Sequence, residues 1–537
     1  MKPSKNSIVE LLVESYAFEG KGVAFWKDET PANEETTTVE APSDNSEVTS
    51  SNNHNLPPVN ERGYVIFVQG AYPGERVLAK IVKSKSNFAE ALLVEILEKS
   101  PKRVEPECVH FGVCGGCKQQ DLLYSEQLNH KQQQVAQVFK TIGGITEYFQ
   151  EPITGADKQF YYRNKMEFSF ANRRWLMNHE AGQPDVTNVG LFLGLHVPRV
   201  FDKILDLEEC KLQSPISEEI VAFTREYFIE KGLEAYSTKT HTGYLKNLVI
   251  RQSEHTSDLM VNLVTAREEQ AIVFNYASVL REKFPQITTI VNNINTSKAQ
   301  VAKGEFEVLL FGEGKIYDKI GDYKFGISAN SFFQTNTLQA EKLYAAALEY
   351  AGLKGDEVVY DLYCGAGTIT TWLSKHCKDL YGFEAVPDAI MDAEINKELN
   401  DASHLHFYMA DLYKSFLPVI AANNIPKPDV IVLDPPRSGM HPVTLSDIIT
   451  IKPPKIVYIS CNPATQARDV KELLAEGYKL VKMRAVDMFP NTYHIENVAL
   501  LVLTFRASPR PLLKWGGGFS NNPLNRRGRK ERKGGGY

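Results

Sequence analysis

The stretch Glu357-Val-Val-Tyr-Asp361-Leu-Tyr-Cys-Gly365-Ala-Gly367-Thr368 decides how the C-terminal third of this chain folds. Its first half is an apolar run of strand length, and the two glycines break that run before a helix-like segment opens at Thr368. Glycine at such a turn lets the backbone approach a ligand closely and leaves helix N-terminal amides free to bind it. Working outward over about 337–505, apolar strands recur at DLYGFE, LHFYMAD, DVIVLD, KIVYIS and VALLVLTF, each separated by helix-like sequence. That alternation predicts an α/β fold with a parallel, doubly wound sheet, and such sheets bind ligands beyond the carboxyl ends of their strands.

Chemistry-bearing residues collect at that edge. Glu384 ends the second strand, 19 residues beyond Gly365, where a carboxylate can hold both hydroxyls of a ribose. The turn has only Gly365-x-Gly367, whereas a dinucleotide site shows a third glycine; S-adenosylmethionine lacks a pyrophosphate and does not need it. Asp411 ends the third strand, placed to accept from an adenine amino group. Leu433-Asp434-Pro435-Pro436-Arg437 closes the fourth, and the two prolines hold the carboxylate rigidly. Methyltransferases that act on exocyclic amines carry an aromatic after the prolines; Arg437 stands in its place, which argues against such a target.

The fifth strand ends at Ser460-Cys461-Asn462-Pro463. Cys461 faces the ligand edge and precedes a predicted helix, a position expected to lower its pKa, and is read as a nucleophile. His494-Ile-Glu496-Asn returns a carboxylate to the same region. The pair suits one reaction. Carbon 5 of uracil becomes nucleophilic only when a thiolate adds at carbon 6, and after methylation a base must remove the carbon 5 proton before the thiolate leaves.

Elsewhere, Cys108-x5-Cys114-Gly-Gly-Cys117, with Cys210 far downstream, is arranged to converge on a metal centre, either zinc or an iron–sulfur cluster. Cys364 and Cys377 read as small core residues. Residues 1–100 alternate short strands with turn signals and predict an all-β barrel, interrupted at about 28–60 by an acidic, Ser/Thr/Asn-rich insert too polar to fold. Residues 101–335 predict an α+β domain, and 506–537 a disordered Gly-rich tail. That tail carries nine Lys and Arg against one Glu, so the overall charge of −6 averages an arm of +8, suited to phosphate backbones, over a body of −14. No stretch approaches the roughly 18 apolar residues of a membrane span. With no secretory signal and few cysteines, a cytoplasmic protein, monomeric and not membrane-bound, is expected.

Taken in order, these motifs resemble the RNA uracil-5-methyltransferases that act on ribosomal and transfer RNA. The resemblance runs from a barrel similar to a TRAM domain, around GKGVAF and GAYPGERV, through the four-Cys cluster to YRNKMEFSF, SFFQTN, DLYCGAGT, LDPPRSG, SCNPATQARD and HIEN. It implies an OB-like TRAM barrel at 1–100, a central α+β domain at 101–335 and a Rossmann-like class I methyltransferase domain at 336–505. It further implies that Cys108, Cys114, Cys117 and Cys210 hold a 4Fe–4S cluster, that Cys461 is the nucleophile and that Glu496 is the base. Gln334, Tyr363, Thr368, Glu384, Asp411 and Asp434 match S-adenosylmethionine-site positions, with Gln334 and Asp434 also close to the target base. The barrel together with the four-Cys loop favours 23S ribosomal RNA over transfer RNA as substrate. Two other readings are weighed. A non-catalytic RNA chaperone need not keep both Cys461 and Glu496. A radical methylthiotransferase would leave one iron open to the cofactor, whereas four cysteines saturate the cluster.

Overall fold

The structure is a computed structural model that describes residues 2–27, 63–177, 180, 182–198, 200 and 202–504. The acidic insert at 28–60 and the basic tail at 506–537 lie outside the described residues. Near the N-terminus, strands Ile8–Ala17, Lys21–Trp26, Tyr64–Gln69, Arg76–Ser84 and Phe88–Glu98 close into a barrel in the order first, second, third, fifth, fourth. Alternate side chains, among them Leu11, Val13, Ile66, Val68, Val77 and Ile81, fill its interior. Closure leaves no unpaired sheet edge.

The middle of the chain forms a seven-stranded sheet in the order Phe306–Phe311, Thr289–Ile294, Leu259–Thr265, Leu245–Gln252, Lys165–Arg173, Val189–His196, Ile204–Asp206. Every pair is antiparallel except Leu259–Thr265 with Thr289–Ile294, which the helix Gln270–Lys283 joins as a crossover. That helix and Pro215–Glu230 bury Ile220, Phe228, Tyr276 and Leu280 in one core with the sheet.

The C-terminal sheet has eight strands in the order Leu405–Met409, Asp379–Glu384, Val358–Leu362, Val430–Leu433, Lys455–Ser460, Glu496–Leu503, Tyr478–Val486, Phe149–Gln150. The first five are mutually parallel, as expected from continuous apolar runs. The wholly parallel expectation needs correction: Glu496–Leu503 inserts antiparallel between two neighbours. Its partner Tyr478–Val486 is absent from the strands read off the sequence, because lysines and an arginine interrupt its apolar residues. Two segments from earlier in the chain also join this core. Val135, Val138 and Phe139, at the end of helix Tyr124–Val138 and in the turn after it, pack with Ala467 and Val470 of helix Pro463–Ala475. The hairpin Lys315–Ile320/Tyr323–Ser328 packs Ile316, Ile320 and Phe325 with helix Thr337–Ala351.

Candidate active site

The strand Val358–Leu362 ends in a turn whose backbone is set by three positive φ angles, Tyr363 at 66°, Gly365 at 54° and Gly367 at 74°. Gly367 caps the helix Thr368–Leu373, and a β-carbon there would stand 2.9 Å from the Phe407 ring at a positive φ, so any other residue is strained. A β-carbon on Gly365 would meet nothing within 4 Å, so its surface is left clear for a ligand. Glu384 closes the turn from the neighbouring strand: one carboxylate oxygen accepts from the Gly365 N–H at 3.1 Å, the other from Ala385 at 2.7 Å and Val386 at 2.9 Å.

These residues line one cavity of about 1160 Å³. Gln334, Tyr363, Thr368, Glu384, Asp434, Cys461 and Glu496 all contribute to its wall, so one space joins most of the predicted cofactor positions to both predicted catalytic residues. Asp411 is the exception. Its side chain points to solvent, accepting from the Tyr413 N–H and pairing with Lys414 at 3.1 Å, and Leu412 and Tyr413 line the cavity instead. Thr368 meets the Tyr344 hydroxyl at 2.9 Å.

Proline rigidity and hydrogen bonds fix the two chemical loops to each other. The Arg437 carbonyl accepts from the Asn462 amide at 2.9 Å and the Thr465 hydroxyl at 3.3 Å, tying the Asp434–Arg437 loop to the turn that carries Cys461. Asn462 caps the next helix, its side chain accepting from the Ala464 N–H. The Cys461 thiol therefore does not occupy the cap, and the expected lowering of its pKa gives way to the reverse. Burial, with Glu496 and Asp434 beside it, pushes the thiol up to about 12, and the Arg437 guanidinium opposes them.

The carboxyls are perturbed in the same sense. Glu496 is only 5% exposed, and burial and the neighbouring Asp434 hold it well above the usual carboxylate range, with Arg437 again acting downward. Burial pushes Asp434 up to about 7. Asp361, fully buried beneath the turn, accepts from Thr370 at 2.5 Å, is also pushed up to about 7 by burial, and leaves its second oxygen without a partner. Glu496 and Asp434 thus bring two raised acids to the wall of one cavity, and the Arg437 guanidinium on that wall opposes the shift of Glu496. His494 meets Arg437 at 2.6 Å, and burial plus that charge push its pKa down to about 4, so it stands neutral.

The loop 487–495, which delivers His494 and Glu496, is held by segments remote in sequence. Asn491 exchanges hydrogen bonds with Gln127, and Lys131 pairs with Asp487 at 2.6 Å with both side chains fully buried. The Asn491 carbonyl accepts from Lys118 and Gln119, directly after the last cysteine of the Cys108–Cys117 loop. The other cysteine segment works in the same way: the carbonyls of Lys211 and Leu212, beside Cys210, accept from Tyr161 and Arg163. All four thiols are free, and burial raises each, with Cys117 pushed to about 11 and Cys210 to about 12. Cys114 and Cys117 both act electrostatically on Cys210, and Cys108 and Cys114 on Cys117, which places the four in one neighbourhood. Among the described residues no three His, Cys, Asp or Glu side chains converge as the ligands of a single metal ion.

Sequence reasoning missed several parts of this site. Arg437 was noted only as a missing aromatic, and Asp361 and His494 were quoted within motifs without a role. Arg163, which stands in the YRNKMEFSF motif without a role, and Phe489, which gave no sequence signal, also line the cavity.

Comparison with known proteins follows the same lines. The tRNA (Uracil-5-)-methyltransferase family model matches residues 253–504 and the TRAM domain model residues 33–94. An uncharacterized RNA methyltransferase of Chlorobaculum tepidum is 44% identical over 440 residues, covering 81% of this chain and 91% of that protein. One from Porphyromonas gingivalis is 43% identical over 445 residues, covering 82% and 95%. Among solved structures, the Pyrococcus abyssi tRNA (uracil-54, C5)-methyltransferase in complex with S-adenosyl-L-homocysteine aligns with a TM-score of 0.66 at 26% identity, over 92% of this chain and 100% of that one. No helix among the described residues is long and apolar enough to cross a membrane.

Proposed function

This chain belongs to the family of S-adenosylmethionine-dependent RNA uracil-5-methyltransferases, and from that premise we propose that it forms 5-methyluridine with Cys461 as nucleophile and Glu496 as base. What supports the roles is the single cavity that joins the glycine turn, Glu384 and Asp434 to Cys461 and Glu496. The Cys461 thiolate adds to carbon 6 of the uracil, and the displaced electron pair passes to the carbonyl as an enolate. Carbon 5 of that enolate takes the methyl group that S-adenosylmethionine supplies. The Glu496 carboxylate then takes the proton from carbon 5, and the carbon–sulfur bond breaks to restore the aromatic ring and the thiolate. Arg437, the guanidinium acting on both groups, favours the charged form each step needs. Gln334, Tyr363, Thr368, Glu384 and Asp434 hold the methyl donor, with Asp411 at its outer edge. The cleared surface over Gly365 and the Glu384 carboxylate on the cavity wall fit a polar ligand there.

The four cysteines fit an iron–sulfur cluster by their chemistry: free, adjacent thiols, each destabilised as a thiolate unless a cation is supplied. Cys108, Cys114, Cys117 and Cys210 would hold it, and its role would be to clamp the 487–495 loop and the Arg163 segment, which the flanking backbone already contacts. The same reading divides the chain into a barrel at 1–100, a central domain at 101–335, a methyltransferase domain at 336–505 and a tail at 506–537. It places the protein in the cytoplasm as a monomer.

For the substrate we favour 23S ribosomal RNA, on the combination of barrel and four-Cys loop. Transfer RNA is the second reading, favoured by the Pyrococcus abyssi neighbour. Mapping 5-methyluridine in RNA from a deletion strain decides between them, since loss confined to transfer RNA refutes the first. For the mechanism, Cys461→Ala abolishes methylation while RNA still binds, and Glu496→Gln accumulates a covalent protein–RNA adduct. Full turnover by Cys461→Ala refutes the nucleophile.

A further inference from the structure

A second cavity, of about 1250 Å³, opens beside the catalytic one between the glycines of the four-Cys loop and the strands Lys165–Arg173 and Val189–His196. The two share Arg163 and Thr335, so only the thickness of those side chains separates them. Its size exceeds the usual span of ligand cavities, about 300 to 1000 Å³, and leaves room for a nucleotide. Gly115 is pressed into its wall: its N–H donates to the His196 carbonyl at 3.2 Å, and a β-carbon there would stand 2.7 Å from that oxygen.

Positive charge predominates in this cavity. Lys118, Arg163 and Lys165 line it, and Glu167, its one carboxylate among the described residues, is paired with Lys165. The Lys118 ammonium donates to the Cys114 carbonyl at 2.8 Å and meets no carboxylate among the described residues. Arg163 makes no ion pair among the described residues, and its buried Nε has no acceptor. The guanidinium lies over the Phe489 ring at 5.5 Å, on the boundary with the catalytic cavity. Beyond these cations the surface turns apolar at Met166, Leu195 and Leu212, and Tyr493 adds an aromatic wall.

Cations beside an apolar and aromatic wall suit an anionic linker attached to a flat ring, and a base stacked on an aromatic side chain gains about 1–3 kcal/mol. We infer that this cavity receives a nucleotide adjoining the target uridine, with the connecting phosphodiester held by Arg163. The inference rests on the uracil-5 reading above and adds to it a second nucleotide site. Positioning the neighbour would hold the target everted, offsetting part of the cost of unstacking it.

The test uses the full chain with p-benzoylphenylalanine in place of Thr238, an exposed residue on the rim of this cavity. Transcripts of the source organism's large-subunit ribosomal RNA and transfer RNAs, made with 5-fluorouridine, trap the target on Cys461. Photocrosslinks within about three nucleotides of the trapped uridine are the expected result. A protein that traps RNA at wild-type yield but crosslinks elsewhere, or nowhere, overturns the second site and leaves the uracil-5 reading intact. Failure to trap any RNA removes that reading and the inference with it. As an independent check, Thr238→Glu, melting like the wild type, should raise KM for RNA about fivefold through repulsion of the phosphate, and an unchanged KM counts against the site.

Discussion

Replacing Arg437 with methionine keeps an unbranched side chain of similar reach while removing the guanidinium that acts on both Cys461 and Glu496. Burial and two neighbouring acids push the Cys461 thiol up to about 12, so at pH 8 only about one molecule in 10⁴ carries the thiolate. Removing the one opposing charge can only raise that pKa further. A unit charge about 4 Å away at an effective dielectric constant of about 20 is worth about 4 kcal/mol. Arg437 is exposed, and solvent screening reduces this to about 1 kcal/mol, a fivefold loss of thiolate. His494 does not make up the loss, because burial, the largest cause of its lowered pKa, persists without Arg437. Alkylation of the Cys461 peptide by iodoacetamide, followed by mass spectrometry from pH 7 to 10, measures the effect. Wild type and variant should both gain about tenfold in rate per pH unit, with Arg437→Met displaced downward by about fivefold and Arg437→Lys restored to near wild type. Equal rates in the wild type and a folded Arg437→Met protein, or a rate that levels off near pH 8, would refute the account of a thiol held protonated by burial and two neighbouring acids against the pull of Arg437.

Three further outcomes follow from the same geometry. Asp361 is pushed from the usual carboxylate range to about 7, so the folded protein holds a proton that the unfolded chain releases near pH 4; stability is full below pH 4 and falls as the pH rises toward 7. Asp361→Asn should accordingly stabilise the protein at pH 8 by up to about 4 kcal/mol and not at pH 4, in urea melts; an equal gain at both pH values disproves the assignment. Gly367→Ala places a β-carbon at φ 74° and 2.9 Å from Phe407. Calorimetry should show S-adenosylhomocysteine bound about tenfold more weakly, with about 1–2 kcal/mol of stability lost, and wild-type affinity would show that the turn does not hold the donor. Cys210→Ser should strip the protein of iron and acid-labile sulfide, and retention of both by the purified variant would exclude Cys210 as a ligand.

Much of the C-terminal sheet was legible because parallel strands covered on both faces must be apolar along their whole length, and their ends then mark the ligand edge. Cys461, Glu384 and Asp434 could be placed from that rule alone, since each stands within a residue of a strand end. Asp411 stands two residues beyond the end of its strand, where the rule no longer says which way the side chain turns, and it points to solvent. The antiparallel insertion of the last strand, Glu496–Leu503, was not legible. Periodicity reports which residues are buried, not whether the neighbour runs up or down, and Tyr478–Val486 hid its strand character behind Lys479, Lys482 and Arg484.

Glu496 shows where the limit of sequence reading lies. Its strand position could be read locally, but its height in the cavity is set by the loop 487–495. That loop is fastened by Gln127 and Lys131 from one helix, by the amides of Lys118 and Gln119 after the cysteine loop, and by Tyr162, whose hydroxyl donates to the Pro490 carbonyl. Each contact spans more than 300 residues of chain, and Gln127, Lys131 and Tyr162 are buried, where an unpaired polar group is costly. Polar residues buried far from any strand end therefore mark the fastening of the base. They also tie the cysteine loop to the catalytic loop: the Asn491 carbonyl, in a residue only 2% exposed, accepts from the Lys118 and Gln119 amides, so a buried acceptor of one loop is satisfied by the other.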